Sequence, residues 1–348
     1  QGLREVATRA TVGTAGVERL PAQVLRGKQL FYDARDPRLS RDRYMSCATC
    51  HSDGGQDGRT WDLTGFGEGL RNTVSLKGRA GMGHGLLHWS GNFDEVQDFE
   101  AQIRALAGGT GLMPDAAYFT GTRSEPLGDR KAGVSADLDA LAAYVASLNA
   151  VDASPWRNAD RSLSAAALAG QAAFERNNCA SCHTGTSFSS SSLAGGMRGV
   201  GTLRPGSGNR LGAPLTGIDV PTLRGVWATA PYLHDGSAAT LEAAVAAHAP
   251  VPATDVANIV AYLRSIDGSD AAPVQPVPDG VYRLVAQHSG QTLNIGGISL
   301  TAGAAAIQWP WLGGDNERWR LTRQADGSVT LAAQHSGLAS RAGHPRQG

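Results

Sequence analysis

Several things are scarce in this chain of 348 residues, and each scarcity closes off a class of function. Neither sign of charge is in excess, with 31 lysines and arginines against 31 aspartates and glutamates. That balance offers no electrostatic footprint for nucleic acid or an anionic membrane. No apolar run approaches the ~20 residues that a membrane-spanning helix needs, so no transmembrane segment is expected. Aromatic residues make up only 6% and cysteines number four. Glycine, by contrast, numbers 45, nearly twice its usual share of about 7%. Much of the backbone is therefore expected in turns and loops that wrap something, with a bound group supplying apolar surface that side chains do not.

The four cysteines are used in two copies of one pattern, Cys47-Ala48-Thr49-Cys50-His51 and Cys179-Ala180-Ser181-Cys182-His183. Cys-x-x-Cys-His is the attachment pattern of c-type haem: two thiols close the porphyrin vinyl groups as thioethers, and the adjacent histidine takes the proximal position on iron. A zinc site pooling four thiolates, or a pair of disulfides, uses the same cysteines, but neither explains a histidine after both pairs. Two covalently bound haem c groups are thus expected, held by Cys47, Cys50 and His51 and by Cys179, Cys182 and His183. Thioether attachment takes place outside the cytoplasmic membrane, so a periplasmic or extracellular protein is expected. The chain opens at Gln1 without a methionine or a leader pattern, which reads as a mature secreted product or a piece of something longer.

The expected fold is mainly α: two cytochrome c-type haem domains in tandem, then a partial all-β, β-trefoil-like segment. Residues 1–20 are taken as an N-terminal extension or remnant, 21–150 and 151–270 as the haem domains, 271–278 as a linker and 279–348 as the β segment. In the first haem domain a helix opens at Pro21 and runs to Phe31, and a second, capped by Ser135, runs to Leu148. The second domain repeats this with Ser164 to Phe174 and Ala253 to Ile266. Leu141-Ala142-Ala143-Tyr144-Val145-Ala146-Ser147-Leu148 resembles Ile259-Val260-Ala261-Tyr262-Leu263-Arg264-Ser265-Ile266, as a duplicated module would. The Ser/Gly-rich stretch from Thr184 to Arg210 reads as a surface loop or a lid. After Pro273, Pro276 and Pro278 come short strands at Tyr282–Ala286, Thr292–Ile295, Ala306–Trp309, Arg318–Leu321 and from Val329. The last repeats Arg283–Gly290, and the tail ends in mid-repeat.

Residues 19–268 resemble the bacterial dihaem cytochrome c peroxidase superfamily, which includes the dihaem enzyme that matures methylamine dehydrogenase and, more distantly, the rubber oxygenases. The resemblance lies in Arg26-Gly27-Lys28-Gln29-Leu30-Phe31-Tyr32-Asp33, Arg38-Leu39-Ser40, Arg71-Asn72-Thr73-Val74-Ser75-Leu76, Pro221-Thr222-Leu223-Arg224-Gly225 and Ala230-Pro231-Tyr232-Leu233-His234-Asp235-Gly236-Ser237. It implies that the second haem transfers electrons, that the first meets peroxide, and that a tryptophan, here Trp89, relays between them. It places His248 where the peroxidases carry the methionine ligand of the second iron. Imidazole in place of thioether stabilises ferric iron and lowers the potential. His234 is expected as a propionate or backbone partner.

For the first iron the resemblance breaks down. Gly67 stands where the peroxidases have a switchable histidine, and the loop Arg79 to Trp89 offers His88 or His84 as sixth ligand, Met82, or an open iron. The distal glutamate is missing from its expected place at Ala107–Met113, and Glu95, Gln97 and Glu100 read as a solvated helix face. The turn from Asp53 to Trp61, with Asp57, is a candidate calcium site between the haem domains. The tail resembles ricin-type β-trefoil lectin modules through Gln308-Trp309 and Glu317-Arg318-Trp319, with Asn294, Trp311 and Asn316 as candidate sugar contacts. Two functions follow: an oxidoreductase reacting with peroxide, oxygen or an organic substrate at the first haem, or an extracellular electron-transfer cytochrome with both irons six-coordinate. Either exchanges electrons with a redox partner protein or an extracellular donor or acceptor.

Overall fold

The computed structural model describes residues 18–79, 84–193, 196–248, 251–273, 279–286, 289–324 and 329–340. The chain divides into two compact units, residues 1–274 and 275–348. In chain order the α-helices of the first unit are α1 (Ala22–Tyr32), α2 (Cys47–Cys50), α3 (Phe99–Ala105), α4 (Asp115–Tyr118), α5 (Ala136–Ser147), α6 (Ala165–Arg176), α7 (Leu241–His248) and α8 (Ala253–Ser265). Strands β1 (Thr60–Asp62) and β2 (Leu70–Asn72) form an antiparallel hairpin, and the two-residue strands β3 (Met197–Arg198), β4 (Asn209–Arg210), β5 (Ala213–Pro214) and β6 (Ile218–Asp219) pair as β3 with β6 and β4 with β5. Long irregular connections join these elements. No helix among the described residues is long and apolar enough to cross a membrane.

Helix pairs α1/α5 and α6/α8 are two copies of one packing solution. Pro21 precedes α1, and the Ser135 and Ser164 hydroxyls accept hydrogen bonds from Leu138 N and Ala167 N, which caps α5 and α6. Gly27 lets α1 approach so closely that a β-carbon there would strike the Ala140 carbonyl; Gly170 does the same for α6 against the Asn258 carbonyl. Four residues on, Phe31 meets Tyr144 with ring centroids 5.1 Å apart, and Phe174 meets Tyr262 at 5.5 Å. All four rings are buried. Each pair anchors its own apolar core, one around Leu30, Leu138 and Leu141, the other around Ile259, Val260 and Ile266. Truncating either phenylalanine to alanine would cost about 3–5 kcal/mol.

The Ser/Gly-rich stretch differs from the expectation of a surface loop. Ser189, Ser190 and Ser191 are buried, with Ser189 Oγ donating to Val220 O at 2.6 Å and in turn accepting from Ser191 N at 3.0 Å. Hydroxyls that satisfy buried backbone groups let a polar run pass through the interior. Gly85 presses on it, since a β-carbon there would strike the Ser191 backbone.

The second unit is all-β. Strands β7 (Gly280–Arg283), β10 (Arg318–Arg323), β11 (Val329–Ala333) and β12 (Ala339–Ser340) form an antiparallel sheet in the order β12-β11-β10-β7, and β8 (Thr292–Ile295) pairs with β9 (Ala306–Trp309). Trp319, opposite Tyr282 and Ala333, is buried and donates from Nε1 to Leu293 O at 2.9 Å. The strand expected to reach Ala286 ends at Arg283, beyond which Val285 makes an isolated bridge to Thr292. Residues 274–278 of the expected linker, and 1–17, lie outside the described residues.

Candidate functional site

Each Cys-x-x-Cys-His motif folds as one tight turn with the histidine closing it: His51 N donates to Cys47 O at 2.9 Å, and His183 N to Cys179 O at 3.0 Å. Both rings are tethered through Nδ1, which contacts the Gly55 carbonyl at 3.3 Å in one and the Phe188 carbonyl at 3.2 Å in the other. A histidine that spends Nδ1–H on a carbonyl has Nε2 to offer a metal, with its tautomer fixed. Burial keeps both rings neutral, holding His51 below its ordinary pKa and His183, with His248 nearby, down at about 4. Burial also pushes the Cys47, Cys50 and Cys179 thiols up to about 11. No disulfide joins the cysteines, and no group of three or more His, Cys, Asp or Glu able to hold a metal exists among the described residues, so the pooled zinc site is not built.

Each motif opens onto its own apolar cavity, of about 300 Å³ for the first and about 360 Å³ for the second. The first is lined by Cys47, Cys50 and His51, with His88 and Trp89; the second by Cys179, Cys182 and His183, with His248 and Trp89. Trp89 thus borders both. Its Nε1 donates to Asn72 O at 2.9 Å, and its carbonyl accepts from Asp219 N at 2.8 Å.

In the second cavity the His183 and His248 ring centroids are 6.4 Å apart. Two imidazoles binding one iron from opposite faces, with metal–nitrogen bonds of about 2 Å, need a separation of about 6 Å. His248 ends α7, its Nδ1 hydrogen-bonded to Ala244 O at 2.7 Å, which again reserves Nε2. Thiols, tethered imidazoles and an apolar wall therefore fit a covalent haem, and in the second cavity a second imidazole faces the first.

The first cavity is built otherwise. Among the described residues no ring contact joins His51 to a second imidazole. His88 lines the cavity, its ring packed on Phe93 at 4.4 Å and Phe99 at 5.1 Å. His84, expected beside it as a candidate ligand, lines neither cavity: it is 1% exposed, its Nδ1 accepts from Arg79 Nη2 at 2.8 Å, and its Nε2 has no hydrogen-bond partner among the described residues. Burial, then Arg79, lowers its pKa to about 2. Met82 lies outside the described residues. His234 is enclosed and lines neither cavity; its Nε2 meets Ser207 Oγ at 2.9 Å, and its carbonyl accepts from Asn72 N at 2.8 Å.

The acids after Trp89 are not a solvated face. Glu100 is 0% exposed and accepts from Leu112 N, Met113 N and Arg104, while Gln97 donates to Asp139 and Glu95 accepts from the amides of Lys131 and Ala132. They brace loops and do not reach the cavity. Glu68 is the carboxylate that does reach it. Although burial disfavours its charge, His88, Arg71 and Ser90 together bring its pKa down to about 2. Only its place between Gly67 and Gly69, in the turn joining β1 to β2, could have marked it in the sequence.

Asp57 is occupied by Arg59 N at 3.0 Å and Trp61 Nε1 at 2.9 Å, so calcium has no cluster of acids here among the described residues. In the second unit Asn294 and Asn316 are buried and bonded to each other, with Asn294 also donating to Glu317 Oε1 at 3.0 Å, so neither presents its amide to a sugar. Trp311 is partly exposed and carries the guanidinium of Arg283 over its ring at 4.9 Å.

Three family models match the chain: Di-haem cytochrome c peroxidase over residues 21–176, RoxA-like, cytochrome c-like over 217–249, and Ricin-type beta-trefoil lectin domain-like over 273–343. The chain is 31% identical over 255 residues to methylamine utilization protein MauG of Methylorubrum extorquens, covering 64% of this chain and 67% of that one. It is 28% identical over 279 residues to cytochrome c551 peroxidase of Nitrosomonas europaea, covering 70% and 79%. The diheme peroxidase BthA of Burkholderia thailandensis aligns with a TM-score of 0.44 at 18% identity, covering 77% of this chain and 94% of that structure.

Proposed function

The chain belongs to the di-haem cytochrome c peroxidase and MauG family, with a redox role on c-type haems, and from that premise we propose an oxidoreductase whose two cavities divide the work. Cys179, Cys182 and His183 hold one haem, and His248 closes its other face, for electron transfer alone. Cys47, Cys50 and His51 hold the other, whose remaining face is kept for peroxide, oxygen or an organic substrate. Haem supplies the redox chemistry; the residues decide access to it. The observation that carries this reading is the contrast between the facing rings of His183 and His248 and the ring of His51, which no second imidazole faces among the described residues. Trp89, fixed by Asn72 and bordering both cavities, supports an indole relay between them. Two imidazoles favour ferric iron, which suits the second site to low potential.

The protein works in the periplasm or beyond the cell, where thioether haem is made, and exchanges electrons with a redox partner. The ricin-type match supports a carbohydrate role for the second unit, with Trp311 rather than the buried asparagines as the surface to test. One observation favours a second reading: His88 lines the first cavity. Bound as sixth ligand, it would leave both sites passing electrons only.

Electron paramagnetic resonance of the ferric protein with and without cyanide separates the two. A first haem that binds cyanide beside a second that stays low-spin is the expected result. Both haems low-spin and inert to cyanide, and to peroxide after half-reduction, would establish the second reading. His248→Met should raise the second potential by about 0.1 V or more; no shift would remove His248 from that iron.

A further inference from the structure

Glu68 has no part in the reading above, yet it is among the most firmly placed side chains bordering the first cavity. Its backbone is clamped. Gly69 and Gly208 have φ of +71° and +85°, and a β-carbon on either would strike the opposite strand of backbone, Gly206 O in one case and Glu68 itself in the other. Gly67 O accepts from Asn209 N at 2.7 Å across the same contact. The side chain is clamped as well, since Oε2 accepts from Arg71 Nε at 3.0 Å while Oε1 accepts from Ser90 Oγ at 2.9 Å and Asn92 Nδ2 at 2.7 Å. Arg71 is in turn held by Ser207 O at 2.9 Å.

The same Oε1 lies 3.7 Å from His88 Nδ1, an ion-pair distance just beyond a hydrogen bond. His88 has little freedom of its own. Phe93 and Phe99 confine its ring, and its backbone sits at φ +66°, a conformation that a residue with a β-carbon adopts only where its surroundings enforce it. A fixed anion beside one imidazole nitrogen keeps the proton there and leaves the other nitrogen basic.

We propose that Glu68 is the positioning residue of the first cavity: the charge of its clamped carboxylate, set close to His88 Nδ1, orients that ring and favours the tautomer that presents Nε2 toward the haem face. The proposal rests on the reading that a haem occupies this cavity with His88 on its distal side.

The test uses the protein loaded with both haems and measures how fast cyanide binds the ferric first haem, because hydrogen cyanide must surrender its proton to a base as it binds. Glu68→Gln is expected to slow binding by at least about tenfold, Glu68→Asp to give an intermediate rate, and Glu68→Gln added to His88→Ala to change nothing further. The low-spin spectrum of the second haem reports folding in every variant. Should Glu68→Gln fail to load haem, Glu68→Asp, alone and on His88→Ala, carries the same comparison. An unchanged rate, or an equal slowing with and without His88, overturns the proposal. A first haem that binds no cyanide in the unmodified protein defeats the open-site reading of function instead. Glu68 is then judged by the low-spin g values of that haem: a shift in Glu68→Gln supports it and no shift overturns it.

Discussion

In the second cavity two tethered imidazoles, His183 and His248, stand at the separation one iron requires, and α7 brings the second of them there by ending on it. In the first, the imidazole that returns is His88, packed between phenyl rings and set beside a buried carboxylate. Both begin from the same five-residue motif and the same glycine-assisted helix pair. The motif and its helices therefore build only the proximal half of a haem site. The segment that comes back over the other face decides what the site can do, and those segments share no sequence pattern.

The largest test of this comparison removes one site at a time. Cys179→Ser with Cys182→Ser should cost the protein one covalent haem by mass and abolish the low-spin, cyanide-insensitive signal. Cys47→Ser with Cys50→Ser should cost the other haem and abolish the cyanide-sensitive signal. Loss of the same signal from both pairs would break the comparison. A smaller effect is expected at the boundary, where Trp89→Phe should slow electron transfer between the haems by about tenfold or more, measured by flash photolysis or stopped flow. Each ferric spectrum should stay as it was. An unchanged rate would shift the route to Asn72, whose residue also borders both cavities.

How much of this was legible depended on whether local pattern or long-range return set the feature. The helices at Pro21, Ser135, Ser164 and Ala253 carry local start signals, a capping hydroxyl at Ser135 and Ser164 and a preceding proline at Pro21 and Pro252, and they begin within a residue of where the pattern puts them. Both haem cavities were legible because thioether chemistry demands a contiguous motif. His84 and His88 could not be told apart, since four residues in a glycine-rich loop carry no periodicity to say which ring faces inward. Glu68 was invisible for a related reason: contacts from Arg71, Ser90, Asn92 and the 206–208 turn give it its place, and those lie up to 140 residues away. Asn294 and Asn316 read as candidate sugar contacts because buried amides signal nothing until their partners are seen, Glu317 for Asn294 and Asn294 itself for Asn316.

The smallest expected effect sharpens the distinction inside the first loop, between a histidine that serves the cavity and one that serves the fold. His84 is enclosed with Arg79 against Nδ1 and, among the described residues, no hydrogen-bond partner on Nε2, and its folded pKa of about 2 lies far below the unfolded value of about 6.5. Below pH 6.5 the unfolded chain therefore binds a proton that the folded chain refuses. Its stability is complete above that pH and falls with acid, by up to about 1.4 kcal/mol per pH unit from this one group. Asp219 acts in the opposite sense. Burial raises its pKa to about 6, so the folded state binds the extra proton, and stability falls as pH rises from about 4 to 6. The two partly cancel in the unmodified protein between pH 4 and 6, which makes the difference between variants the measurement to trust. Urea unfolding of the loaded protein at pH 7 and pH 5 should show His84→Gln losing less stability on acidification than the unmodified chain. His88→Gln should instead alter the first haem's response to cyanide. Equal slopes for His84→Gln and the unmodified chain would remove His84 from the fold's acid sensitivity.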